Sequence, residues 1–83
     1  MNTQQLMERL NREGLPKQFY DFNTRKDDVH VLLQEDGKWL VFYMERGNRY
    51  NLKSFDNEEA ACEEFYNRIK DLYEFTIKHF GKV

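Results

Sequence analysis

The sequence contains one cysteine, one proline, four glycines and no long apolar run. Each shortage removes a class of protein. A lone Cys62 cannot close an internal disulfide, and its place among apolar helix positions reads as a small core residue. Nothing approaches the roughly 18 consecutive apolar residues of a membrane span. The opening "MNTQQLMERLNREG" lacks a basic segment followed by an apolar core, so no secretory signal is read there and a cytoplasmic protein is expected. His30, His79 and Cys62 stand in no metal-ligand spacing. Ser54 is the only serine, and neither a glycine-rich phosphate loop nor a nucleophile elbow occurs. The expectation is a protein without catalytic residues, metal or cofactor.

What is present is aromatic and charged. The 83 residues are 40% apolar and 34% charged, the composition of one folded domain rather than a disordered segment. A short helix is predicted over residues 2–13, with Leu6 and Leu10 one turn apart. It should stop at "REGLP", with Gly14 left-handed, Leu15 folded back on Leu10 and Pro16 blocking continuation. Residues 17–28, with three aromatics and no sustained period, read as an irregular crossing with a short extended piece at Phe19 to Phe22.

"VHVLLQEDGKWLVFYMERG" then reads as two strands joined by a two-residue turn at Asp36-Gly37. Pairing Glu35 with Lys38 sets Leu33 against Leu40, Val31 against Phe42 and Val29 against Met44 in one apolar strip. The other side carries Leu32, Trp39, Val41 and Tyr43. That second side is expected to lie opposite the long helix, covered by the first helix and by Phe19, Tyr20 and Phe22. If it is covered only in part, Trp39 or Tyr43 becomes an aromatic anchor for a partner. A three-residue loop at Glu45, Arg46 and Gly47 would lead into a third strand, with Phe42 meeting Tyr50 and Leu40 meeting Leu52. A slip of one residue would put Tyr50 beside Tyr43 instead.

The last helix should start at a cap on Asp56, with Glu59 in the reciprocal position, and end near Phe80 before Gly81. Its apolar face includes Ala61, Cys62, Phe65, Ile69, Leu72, Tyr73, Thr76 and Phe80. The expected class is therefore α+β: α-β-β-β-α, an antiparallel three-stranded meander with the long helix packed on one face, formed by residues 1–83 as a single domain.

Formal net charge is only −2, but its distribution is uneven. Ser54 to Phe65, "SFDNEEAACEEF", holds Asp56, Glu58, Glu59, Glu63 and Glu64 without a lysine or arginine. Acids in a first helical turn are favourable against the helix dipole by about 0.3–1 kcal/mol each, which accounts for the first three but less well for Glu63 and Glu64. The alternative is a surface that steers a basic protein. Candidate partner-binding residues are these five acids with Trp39, Tyr43, Arg46 and Tyr50. The order α-β-β-β-α is also that of double-stranded RNA-binding domains, but five carboxylates stand where that family presents lysines to phosphate.

The stretch "GKWLVFYMERGNRYNLKSFDNEEAACEEFYNRI", residues 37–69, resembles small bacterial immunity proteins that accompany polymorphic or contact-dependent toxins. The likeness lies in the strand at Trp39, the "YMERG" turn, the "LKSF" strand and the acidic helix start running into "EAACEEF". It implies a non-catalytic protein that binds a cognate toxin domain, commonly a nuclease, with no nucleic acid or membrane as partner.

Overall fold

The structure is a computed structural model, and it describes residues 1–81. In chain order it contains α1 (Thr3–Arg12), a single 3-10 turn (Lys17–Phe19), β1 (Tyr20–Asp21), β2 (Val29–Glu35), β3 (Lys38–Glu45), β4 (Asn48–Phe55) and α2 (Glu58–Phe80). The α+β class is as expected, but the sheet has four strands in the order β1-β2-β3-β4 rather than three. The added strand falls in the segment read as extended: Tyr20 and Asp21 pair parallel with His30 and Val31.

The termini of α1 follow from local chemistry. Asn2 accepts from the Gln5 N–H at 2.8 Å while the Gln5 side chain accepts from the Asn2 N–H at 2.9 Å, a reciprocal cap. At the other end Gly14 adopts φ +68°, and the Leu15 N–H donates to Leu10 O at 3.0 Å. Both leucines are buried. The left-handed glycine thus closes the helix and turns a core residue back onto it.

The first hairpin keeps the expected register from Val29↔Met44 to Glu35↔Lys38. The second does not. Glu45 pairs with Asn48, so the loop is the two residues Arg46 and Gly47 at φ +51° and +78°, rather than three. Asp27 holds this tighter turn from outside, accepting from the Gly47 N–H at 3.0 Å. Tyr50 consequently faces Tyr43, and an irregularity with Asn51 at φ +55° moves Lys53 opposite Val41 and Ser54 opposite Leu40. The expected contacts of Phe42 with Tyr50 and of Leu40 with Leu52 are not made. The apolar strip therefore stops at β3, and β4 is exposed along its length up to half-buried Phe55.

The two faces of the sheet are also exchanged relative to expectation. Leu32 and Val41 share a core with Leu6, Leu10, Leu15, Ala61, Cys62, Phe65, Tyr66 and Ile69, so α2 packs on the Trp39 side rather than opposite it. The crossing segment fixes this choice. Tyr20 is paired beside His30, and the rings of Tyr20 and Phe22 lie 6.1 and 5.6 Å from that of Phe65. On the reverse face Val29, Val31, Leu40, Phe42 and Met44 form a second cluster without a helix. The Arg49 guanidinium lies 4.7 Å from the Phe42 ring centroid, pinned there by two hydrogen bonds to Glu35 at 3.1 Å.

Asn57, not Asp56, caps α2: its side chain accepts from the Ala60 N–H at 2.8 Å. Asp56 is drawn away by an ion pair with Lys38. The helix ends as expected at Gly81, φ +75°. Its buried residues are Ala61, Cys62, Phe65, Tyr66 and Ile69, whereas Phe80, placed on the same face by its period, is 76% exposed. No helix among the described residues is long and apolar enough to cross a membrane.

Candidate interaction surface

Three of the five acids at the start of α2 are engaged inside the molecule. Asp56 pairs with Lys38, which holds its carboxyl below the usual range. Glu58 accepts from both the N–H and the hydroxyl of Thr3 at 2.8 Å, stitching the first turn of α2 to that of α1, and these donors lower its pKa. Glu64 accepts from Arg68 Nε at 2.7 Å and lies 3.8 Å from Lys53 Nζ. Only Glu59 and Glu63 are exposed and make no ion pair among the described residues.

The four-residue step from Glu59 to Glu63 continues through exposed Asn67 to Asp71, with Glu74 beside it on the outward ridge of α2. Asp71 and Glu74 are likewise exposed and unpaired among the described residues. At 1.5 Å rise per residue, the four carboxylates span about 22 Å. Asp71 and Glu74 are not among the candidates from the sequence, since after Phe65 the bases Arg68, Lys70, Lys78 and Lys82 outnumber them. In the fold Lys70 turns aside to Glu13, 3.4 Å away, and does not neutralise the ridge. The signal was the return of acids to one helical stripe beyond the first turn, Glu63 and Asp71 eight residues apart and Glu74 three further on.

The aromatic candidates separate into two groups. Trp39 pairs with Phe55 at the end of the hairpin where α2 begins, half-buried at the margin of the core. Tyr43, Tyr50 and Arg46 lie at the other end, four or more residues along β3, or roughly 13 Å. Tyr43 is half-buried against His30, ring centroids 5.0 Å apart, while Tyr50 is 45% exposed. The nine candidates therefore do not form one patch.

Between β4 and α2 runs an open groove of about 510 Å³, lined by His30, Leu52, Lys53, Glu64, Arg68 and Asp71 with Asn51. Arg68 spans it, donating to Glu64 and, at 2.8 Å, to the carbonyl of Asn51 at the irregular point of β4. Burial, and then the Arg68 charge, push the His30 pKa down, which keeps the imidazole neutral beneath the groove. No three or more His, Cys, Asp or Glu side chains among the described residues are grouped to hold a metal ion.

No protein-family model, no curated protein and no solved structure matches the chain.

Proposed function

We propose that this chain is a non-catalytic immunity protein that binds and neutralises a basic toxin domain, a nuclease by the charge it would need, through the acidic ridge of α2 and the adjoining edge of β4. The observation that carries this reading is the run Glu59, Glu63, Asp71 and Glu74, four exposed carboxylates on one ridge with no intramolecular ion pair among the described residues. Glu59 and Glu63 are like charges at i, i+4, which oppose a helix by about 0.2–0.5 kcal/mol, and only Glu59 is close enough to the helix start to be offset by the dipole. Self-stability thus does not account for Glu63. A cationic groove built to hold phosphate would be attracted by the ridge.

Two of these acids fall in the segment that resembles immunity proteins, residues 37–69. Binding of duplex RNA, the rival suggested by element order, is opposed by the same ridge, because phosphates would meet carboxylates along the exposed helix. The protein would act in the cytoplasm, where an incoming nuclease meets its target.

The test is co-expression with the toxic domain encoded beside this chain. Rescue of growth and a purified complex are expected, with association that slows as salt rises. Replacing Glu59, Glu63, Asp71 and Glu74 by lysine should slow association at least about tenfold while leaving the circular dichroism unchanged. Absence of both rescue and complex at low salt would end the proposal, and tight binding of duplex RNA under those conditions would replace it.

A further inference from the structure

We infer that His30 and Arg68 form a pH-operated latch between α2 and β4: a second proton on the His30 ring expels the Arg68 guanidinium from the groove and releases β4 at Asn51. This goes beyond the toxin-binding reading and does not depend on it. The Arg68 side chain is only 14% exposed. Its Nε is held by Glu64 on the same helix, while Nη2 donates to the Asn51 carbonyl on β4. Asn51, at φ +55°, lies where β4 shifts register against β3, so Arg68 fastens the strand at its irregular point. Among the described residues the other ion pair across the groove is that of Lys53 with Glu64, longer at 3.8 Å and open to solvent.

Beneath this fastening lies a group that can change its charge. His30 Nδ1 and Arg68 Nη1 are both buried, and neither has a hydrogen-bond partner among the described residues. Because Nη1 can only donate, the neutral ring leaves Nδ1 bare and carries its proton on Nε2. A second proton must go to Nδ1, where it finds no acceptor and meets the like charge of Arg68. The surrounding groups do not compensate it. Tyr20 on β1 and Tyr43 on β3 adjoin His30 as neutral phenols, their pKa values raised by burial, and Asp28 and Glu45 act on Tyr43. Lys53 on β4 is a further cation, and the Glu64 carboxylate is already shared between Lys53 and Arg68. His30 is fixed in its strand, whereas Arg68 sits on a long stem with exposed, unpaired Asp71 three residues further along α2 to receive it. Arg68 is therefore the side chain that leaves.

Folding depresses the His30 pKa below its ordinary 6.5, so the folded chain binds fewer protons there; the stability this contributes is complete above 6.5 and is lost as pH falls through the folded value. Glu13, with a pKa of about 2, stays ionised throughout that window. A nuclear magnetic resonance titration of the full chain from about pH 8 to pH 5 should give a His30 ring midpoint below 6.5, with the Arg68 Nε–H signal shifting in the same step. Amides of β4 flanking Asn51 should exchange at least about tenfold faster below that midpoint, after correction for intrinsic pH dependence. His30→Phe, which keeps a ring against Tyr43 and cannot be protonated, should abolish the step in both Arg68 and β4. Arg68→Gln should raise the His30 midpoint by removing the like charge. A His30 midpoint at or above 6.5 overturns the proposal, as does a His30 titration that leaves the Arg68 signal and the β4 amides unmoved. Persistence of the step in His30→Phe also overturns it, and should that variant not fold, the coincidence of the His30 and Arg68 titrations in the parent chain decides.

Discussion

The first twelve residues of α2 and its last eleven share one apolar period and differ in what lies beneath them. All five buried residues of the helix, Ala61 to Ile69, belong to the first part, where Leu32 and Val41 form the floor and α1 a wall. Beyond Lys70 the same face continues through Leu72, Tyr73 and Thr76 to Phe80, and burial ends. Periodicity identifies which side of a helix is apolar. It carries no information about how far the covering layer extends.

The contrast is broken most directly by truncating one phenylalanine in each part. Phe65 is fully buried against Tyr20 and Phe22, so Phe65→Ala should destabilise the fold by about 3–5 kcal/mol in urea unfolding. Phe75→Ala, at a side chain 52% exposed, should lie within about 0.5 kcal/mol of the parent. A comparable loss at both positions would mean that the tail is packed as firmly as the core, and would remove the difference between the two parts.

How much of this was legible in the sequence depends on whether a feature is local. The Gly14 stop, the Asp36-Gly37 turn and the end at Gly81 need only the conformational freedom of a few residues, and each occurs where expected. The face of the sheet that receives α2 is not local. Both sides of the first hairpin are apolar, and the more uniform one, Val29 to Met44, invited the helix. The choice was made by Tyr20 and Phe22, which meet Phe65 on the other side, and by Arg49, which lies over Phe42 on the reverse. The acidic cluster was visible as composition. Which of its members face outward depended on Lys38, Thr3 and Lys53, all distant in sequence or on another element, with only Arg68, four residues after Glu64, a local partner.

The start of α2 offers a smaller and sharper test. Asn57→Ala should cost about 1 kcal/mol, since the Ala60 N–H loses its acceptor at the packed end of the helix. Asp56→Ala should leave the unfolding midpoint unchanged within error, because its exposed pairing with Lys38 is screened by solvent. If the two effects were reversed, Asp56 would be the cap after all and one more acid would be committed to the fold.

The boundary between the two parts of α2 has a titratable marker. Glu13, just past the last turn of α1, accepts from the Tyr66 hydroxyl and from Arg9, and Lys70 lies 3.4 Å away. The Arg9 guanidinium also stacks 3.8 Å from the Tyr66 ring centroid. The Tyr66 hydrogen bond, and then that of Arg9, lower the Glu13 pKa from an ordinary 4.5 to about 2. A carboxyl whose pKa is depressed by folding binds fewer protons in the folded state. Its contribution is therefore complete above about 4.5 and disappears as pH falls toward 2. The midpoint of thermal unfolding should fall across that window, and Tyr66→Phe, which removes the leading donor and keeps the ring, should make the fall shallower. Hydrogen exchange measured over the same window locates the effect. Amides near Tyr66 and Ile69 should lose protection as Glu13 is protonated, whereas those from Phe75 to Phe80, with no buried side chain to release, should exchange at a rate that follows only the intrinsic pH dependence. Equal changes along the whole helix would show that its two parts open as one unit, and the overhang would then be an extension of the core rather than a surface apart from it.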